Sequence, residues 1–399
     1  MRILFVTPYI PSRVRVRPYA LIRELAELGH QVHLVCLVQP PWEAPYLEQV
    51  RPYCHSAHPI MINRAESYLN LLRSLPNEMP LSVAYCRSSE FKSQVHQLAQ
   101  SRSFDLLHTE FIRAVPATAE VKGLPKVVDL VDSLGLAYQR SLNAAYVSQL
   151  QRLLSRIEFP KIAKFEAQAL SCYDRWLISS PVDQAYLVQR NGGHAVEVLP
   201  NGVDLDYFAF SDAERRPERL IFLGKMSYYV NVASALWFYH QVLPLVHKER
   251  PGVILEIVGR NPSPQIKALS CDPRVEVTGT VADVRPHLYR AGVTVCPMVG
   301  GSGIQNKVLE AMACGTPVVA TPMAIQALQV KSGVHLLIGE SAQQFAGHVL
   351  ELTRNDRLRR ELSHNARQYI EQHHDWGRIT QQLERTYIDL LKDKGRQHG

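Results

Sequence analysis

Strand-like apolar runs alternate with helix-length segments along the whole chain, in two successive series. The first series is ILFVTP (3–8), VHLVCLV (32–38), DLLHT (105–109), KVVDLV (126–131) and RWLISS (175–180). The second is RLIFLG (219–224), VILEIVG (253–259), VEVTG (275–279), GVTVCP (292–297), TPVVAT (316–321) and HLLIG (335–339). Short, near-continuous apolar runs with helical connections imply parallel sheets with crossover helices. RPYALIRELAELGH (17–30) is one such crossover, with apolar residues at helical spacing and a stop at Gly29. Residues 141–172 carry a second long amphipathic pattern, and the stretch from Trp376 reads as a single helix with one apolar face. A chain of 399 residues exceeds one small core, so two doubly wound α/β domains are expected. The turn-rich QRNGGHAVEVLPNGVD places the junction near residues 190–200. The expected domains are 1–195 and 196–375, with 376–399 a helix packing back across both.

Charge narrows the partners. Lys plus Arg minus Asp plus Glu is 44 − 37 = +7, which suits nucleotide phosphates, lipid phosphates or an acidic membrane surface. No long Lys/Arg block or interleaved aromatic stripe occurs, so nucleic acid is not an expected partner. The seven cysteines are odd in number and include no C-x-x-C, and several sit inside apolar runs, as small core residues of a reducing compartment do. No run reaches membrane-spanning length, and the N-terminus reads as a strand and not a signal peptide. The expected location is cytoplasmic, with peripheral contact at the inner face of the membrane a further option.

The most informative stretch is GVTVCPMVGGSGIQNKVLEAMACGTPVVAT (292–321). A strand is expected to end at Pro297, followed by a turn through Gly300, Gly301, Ser302 and Gly303. A helix then opens near Ile304 and stops at Gly315. Such a unit presents backbone N–H groups at a helix N-terminus, where the dipole favours an anion. Lys307, in the first turn, opposes that dipole unless an anionic ligand answers it. Glu310 lies three residues on and shares its face, so a phosphate over Lys307 places a ribose beside Glu310. A plain loop with a surface ion pair could carry the same residues, and spacing alone does not separate the two.

Five stretches in order, LPNGVDLDYF (199–208), FLGKM (222–226), VEVTGTVADV (275–284), GSGIQNKVLEAMA (301–313) and EAMACGTPVV (310–319), resemble the signature of the family-4 retaining glycosyltransferases. The resemblance covers almost the whole chain, and GSGIQNKVLEAMA resembles the exopolysaccharide-cluster (PEP-CTERM/exosortase-associated) branch in particular. It implies an α/β GT-B fold: two Rossmann-like doubly wound parallel-sheet domains facing across a cleft, the first for the acceptor and the second for a nucleotide sugar. It also implies retention of configuration, no metal and no cofactor, a UDP-sugar or GDP-sugar being a substrate. Glu310 matches the second Glu of the family's Glu-x7-Glu motif and would bind the donor ribose. The first Glu falls at Ser302, so the donor sugar is left to Ser302 and to the N–H groups of Gly303 and Ile304. Lys225 matches the basic residue that neutralises the diphosphate, and Gly224 lets the backbone approach it. The family's second basic residue falls near Asn231, which leaves Lys307 to supply that charge; with Lys225 it would stabilise the leaving diphosphate.

The first half is less explicit. Only Gly29 occurs between Met1 and His30, so the dinucleotide fingerprint is absent and a nicotinamide cofactor is not expected. Arg13, Arg15 and Arg17 alternate after the first strand and could grip an acceptor phosphate, or form salt bridges within a loop. Asp129 and Asp132 end the strand KVVDLVDS, where open α/β sheets place their ligands. Relatives carry a His near Asp132, which makes Asp132 the first choice, and Asp129 the second, to orient the acceptor hydroxyl or take its proton. A helix N-cap is the competing use of Asp132. His108 and Glu110 end the preceding strand and are weaker candidates, His108 for acceptor contact. No His/Cys/Asp cluster has metal-ligand spacing, so a metal is not expected. Residues 61–95 hold a short amphipathic stretch with Arg64 and Arg73 that either rests on a membrane, covers the acceptor groove or is an ordinary surface helix. The expected acceptor is a saccharide or a lipid-linked molecule. A sugar-nucleotide epimerase and a non-catalytic nucleotide-sugar-binding protein stay open as alternatives.

Overall fold

The computed structural model describes residues 1–39, 41–101, 103–144, 146–168, 171–190 and 192–397. The apolar runs form two all-parallel sheets, covered on both faces by helices. The first contains β1 (Arg2–Thr7), β2 (Gln31–Val38), β3 (Ser56–Met61), β4 (Leu106–Glu110), β5 (Lys126–Asp129), β6 (Arg175–Ile178) and β7 (Val196–Val198), in the order β3-β2-β1-β4-β5-β6-β7. The second contains β8 (Arg216–Leu223), β9 (Ile254–Val258), β10 (Val275–Gly279), β11 (Ala291–Cys296), β12 (Val318–Ala320) and β13 (Leu337–Ile338), in the order β10-β9-β8-β11-β12-β13. In both, the first strand of the series is central and the order reverses beside it. That reversal leaves a crevice at the strands' carboxyl ends, where doubly wound folds bind ligands. The central strands are buried throughout, as in β4 and β11, which explains why they read as continuous apolar runs.

The chain divides into two units. One holds Met1–Leu142, Leu150–Asn201 and the segment from Trp376, and the other holds Asn143–Gln149 and Gly202–Asp375. The first limit differs from the expected residue 195 because β7 pairs in parallel with β6, Trp176 opposite Val196, as the last strand of the first sheet. The helix Trp376–Gln397 belongs to the first unit. Its buried Trp376, Ile379, Leu383, Tyr387 and Leu390 fall at helical spacing and join the core around Leu21, Ile22 and Leu25 of the helix Val16–Glu27. His30 Nε2 and Glu384 Oε1 lie 2.8 Å apart beside that packing. The amphipathic pattern at 141–172 resolves into the end of the helix Leu134–Asn143 and the helix Gln149–Gln168.

Candidate functional site

In the second unit, β8 and β11 are neighbours at the reversal point, so the loops leaving them share one crevice. β8 delivers Gly224 and Lys225, and β11 delivers the glycine-rich turn. Gly301 (φ 119°) and Gly303 (φ 65°) adopt backbone angles that side chains disfavour. A Cβ at Gly300 would stand 1.6 Å from the Tyr146 hydroxyl. The following helix is Asn306–Ala313, two residues later than expected at Ile304, and its N-cap Gln305 makes no side-chain capping bond. Ile304 is buried in the core, so only its backbone is available to a ligand. Ser302 is half-buried in the turn.

Lys307 rises from the first turn to a defined position. Its Nζ donates to Asn231 Oδ1 at 2.7 Å, and Asn231 Nδ2 donates to the Lys225 carbonyl at 3.1 Å. The same Nζ lies 4.8 Å from the centre of the Phe222 ring. A Cβ at Gly224 would sit 2.8 Å from Asn231 Nδ2 and 3.2 Å from Lys307 Nζ, so a side chain there would displace this network. The structure therefore brings Gly224, Lys225, Asn231 and Lys307 together. Burial lowers the Lys307 pKa, with Cys296 and Glu310 acting the other way. Burial pushes the Glu310 carboxyl up to about 7, and Lys307 only partly opposes it. Among the described residues, the Glu310 carboxylate has no hydrogen-bond partner. Lys225 is exposed and has no ion-pair partner among them. A cationic nitrogen beside close-approaching glycine backbone, with an unbonded carboxylate one turn on, is chemically suited to a phosphorylated diol.

In the first unit the reversal point lies between β1 and β4. Here several expectations need correction. Arg17 is buried and already committed: Nε and Nη2 donate to Asp129 Oδ2 at 2.9 and 2.7 Å. Nη2 also reaches Leu199 O at 2.9 Å, and Nη1 reaches Pro200 O at 3.0 Å and Asn201 Oδ1 at 2.7 Å. All its donors are used, so it does not serve an acceptor phosphate, and Asp129 is correspondingly its counter-ion and no proton acceptor. His108 is fully buried, stacked 4.3 Å from Phe5, with Nδ1 2.7 Å from the Tyr387 hydroxyl, which leaves no surface for an acceptor. Burial pushes its pKa down to about 4. Arg15 pairs with Glu43 at 2.8 Å and lies over the Tyr9 ring. The Arg13 N–H donates to Gln49.

Asp132 is placed differently. Ser133, and not Asp132, caps the helix that follows, its Oγ accepting from Leu136 N at 3.1 Å. Asp132 keeps partial solvent contact although protein surrounds it closely, and Oδ1 accepts from Ser179 Oγ at 3.1 Å. Burial, then Asp183, pushes its carboxyl up to about 7. Sequence reasoning missed its surroundings. Glu166, from a helix 33 residues further on, accepts from Ser133 Oγ and Gly135 N and is also pushed up to about 7, mainly by burial. Val131 (φ 65°) and Phe111 (φ 68°) hold strained backbone just past β5 and β4, a cost usually found at working sites. No local pattern announces either.

One group of potential ligands exists among the described residues: His108, Glu110 and Asp129, with atoms within 4.8 Å of one another. It escaped the spacing argument because it is assembled across the paired strands β4 and β5, with Glu110 opposite Asp129. Arg17 already supplies the positive charge there, burial keeps Glu110 protonated well above the usual range, and His108 is held neutral. A second cation would stand beside a guanidinium, so these residues do not fit a metal.

Two family profiles cover most of the chain: a "Glycosyl transferase 4-like domain" over residues 14–202 and "Glycosyl transferases group 1" over residues 217–355. A 44.6 kDa protein of the cps region of Klebsiella pneumoniae is 20% identical over 88% of this chain and 89% of its own. The phosphatidyl-myo-inositol mannosyltransferase of Mycobacterium leprae is 27% identical over 52% of this chain and 57% of its own. Among solved structures, Anabaena Alr3699/HepE in complex with UDP superposes with a TM-score of 0.69 at 16% identity, over 98% of this chain and 100% of that one. Sucrose-phosphate synthase from Thermosynechococcus elongatus gives 0.74 at 18% identity, with the same coverage. The shared architecture is the two-domain GT-B fold.

Proposed function

Because this chain belongs to the GT-B glycosyltransferases, we propose that it moves a hexose from a nucleotide diphosphate sugar to a saccharide or lipid-linked acceptor with retention of configuration. The observation that carries this reading is the Lys307–Asn231–Lys225 network beside Gly224, with Glu310 unbonded on the same helix. A diphosphate at Gly224 takes charge-assisted hydrogen bonds from Lys307 and Lys225, and the ribose hydroxyls donate to Glu310. Ser302 and the N–H groups of Gly303 and Ile304 serve the sugar, in place of a carboxylate. The UDP complex of the Anabaena neighbour favours a UDP-sugar over a GDP-sugar.

The reaction breaks the anomeric carbon–oxygen bond, and its electron pair passes to the leaving diphosphate, whose growing charge the two lysines stabilise. The acceptor oxygen bonds to the same face of the sugar. Its proton passes to a base, for which Asp132, with a carboxyl titrating near 7, is suited. No metal takes part, and the donor is consumed as a substrate. Exopolysaccharide assembly is the setting that the resemblance to a cps-region protein favours. No helix among the described residues is long and apolar enough to cross a membrane, and a cytoplasmic protein, peripheral at the inner membrane face, accords with a lipid-linked acceptor.

The test is donor turnover. Purified protein with UDP-glucose or GDP-mannose and a lipid-linked oligosaccharide fraction should release nucleoside diphosphate and form a glycosylated product, both abolished by Glu310→Ala. An isomerised sugar formed from donor alone would instead establish an epimerase.

A further inference from the structure

The turn at 300–303 uses glycine for two different reasons. Gly301 and Gly303 hold positive φ angles that side chains disfavour. Gly300 does not, so its backbone makes no demand for glycine. What excludes a side chain there is Tyr146. The atoms nearest to a Cβ at Gly300 are the Tyr146 hydroxyl oxygen and two carbons of its ring, all inside ordinary contact distance.

Tyr146 comes from the connection between the helices Leu134–Asn143 and Gln149–Gln168, and this connection, Asn143–Gln149, groups with the second unit. Val147 N donates to Ala144 O at 3.2 Å to form a tight turn, and Val147 is buried. The Tyr146 ring is half-buried and packs against the core of the second unit. It stacks on Tyr229, with ring centres 6.3 Å apart and planes at 26°. Tyr229 opens the helix Tyr229–Trp237, which carries Asn231, and Tyr228 donates its backbone N–H to the Lys225 carbonyl at 3.1 Å. Val299, just before the turn, donates its N–H to Ser234 Oγ of the same helix at 3.2 Å. The tyrosine thus spans the two loops of the crevice: its hydroxyl lies on the glycine turn, and its ring lies on the loop that carries Lys225.

A hexose joined to the distal phosphate presents ring C–H groups and neutral hydroxyls. Aromatic faces suit the first, and groups that both donate and accept suit the second. Tyr228, which is exposed, and the half-buried Tyr229 supply aromatic surface, with ring centres 5.0 Å apart. The Tyr146 phenol has one O–H and two lone pairs, so it keeps hydrogen-bonding capacity beyond a single protein partner. Its position is fixed on two sides, by Gly300 and by the stacked Tyr229. A polar group held in one place discriminates strongly, because an epimer that points its hydroxyl elsewhere leaves that group unpaired.

We propose that Tyr146 is a specificity-determining residue for the donor: its hydroxyl, seated on Gly300, hydrogen-bonds one hydroxyl of the transferred hexose and so selects among epimers. This rests on the sugar-transfer reading, because it takes the diphosphate to lie at Lys307 and Lys225.

The experiment is isothermal titration calorimetry of the full chain without acceptor. The ligands are UDP, UDP-glucose and UDP-galactose, and GDP, GDP-glucose and GDP-mannose. The wild type should prefer one hexose over its epimer on the same nucleotide. Tyr146→Phe keeps the ring and its packing. It should narrow that preference roughly threefold to tenfold, as the loss of one hydrogen bond does, while affinity for the free nucleoside diphosphate is kept. Gly300→Ala places a Cβ where the hydroxyl lies and asks no new backbone angle, so it should narrow the preference as much. A tyrosine with only a structural role would instead weaken nucleotide and nucleotide sugar by the same factor. That equal loss, a preference unaltered in Tyr146→Phe, or a wild type that binds nucleotide without preferring any hexose overturns the proposal and leaves the donor reading standing. A wild type that binds neither nucleotide nor nucleotide sugar overturns the donor reading, and the proposal with it.

Discussion

Lys307 Nζ donates a hydrogen bond to Asn231 Oδ1 at 2.7 Å, joining the first turn of one helix to the first turn of another 76 residues earlier. The contact holds a cation, already costly to bury, in one position. Lys307→Ala should therefore lower kcat by roughly a hundredfold or more. It should leave the ligand-free protein as stable as before or more so, because a buried charge is removed. Steady-state kinetics and thermal melts on one preparation check both. Lost activity accompanied by an equal loss of stability would argue for a structural lysine.

Gly224 and Asn231 should act as one unit. The Cβ of Gly224→Ala would press on the Asn231 amide at 2.8 Å, so the substitution should raise the donor KM about as much as Asn231→Ala does, by roughly tenfold. The double variant should be little worse than either single one. Additive effects would show that the two positions serve the donor independently.

Donor affinity should depend on pH through Glu310. Its carboxyl titrates near 7 in the free protein, and only the charged form accepts from both ribose hydroxyls. Affinity should fall as pH drops through 7, at most about tenfold per pH unit. A nucleotide sugar is the suitable ligand, since its diphosphate diester does not titrate there. Glu310→Gln should bind more weakly and with a flat profile; a variant that keeps the slope would move the titration elsewhere.

Stability of the ligand-free protein should run the other way. Asp132, Glu166 and Glu310 are each raised to about 7 from unfolded values of 3.8, 4.5 and 4.5. The folded chain thus holds more protons than the unfolded one between roughly pH 4 and 7. Stability from these groups is fully present below that window and lost as pH rises through it, at up to about 1.4 kcal/mol per pH unit per group. The thermal midpoint should fall from about pH 5 to about pH 7, within that window, and Glu166→Gln should flatten part of the decline. A midpoint that climbs over this range would show these carboxyls to be charged in the folded state.

Arg17 and Asp129 should behave as structure. Arg17→Gln leaves the buried Asp129 without its counter-ion and should destabilise the protein by about 3–5 kcal/mol. Replacing both, Arg17→Met with Asp129→Leu, should recover much of that loss. Urea unfolding measures it; a fully stable Arg17→Gln protein with impaired turnover would return the arginine to the acceptor.

The sequence by itself determined whatever spacing along one element encodes. Continuous apolar runs announced buried parallel strands, because strands covered on both faces have no polar side. The glycine-rich turn at 300–303 announced a strand-to-helix crevice, and the interval from Lys307 to Glu310 placed cation and carboxylate on one helical face. Partners across strands were decided only by the tertiary structure. Arg17 meets Asp129 across 112 residues because β1, β4 and β5 are consecutive in the sheet. The alternating arginines looked alike along the chain, yet folding commits Arg17 to the interior and pairs Arg15 with Glu43. Arg73 and Arg87, from the connection between β3 and β4, and Arg113, from the connection between β4 and β5, gave no joint signal, because only the crossover topology gathers them around one cavity. Local periodicity follows from backbone geometry, which every residue shares. Whether a charge finds a counter-ion, and so what it remains available to bind, depends on which strands become neighbours.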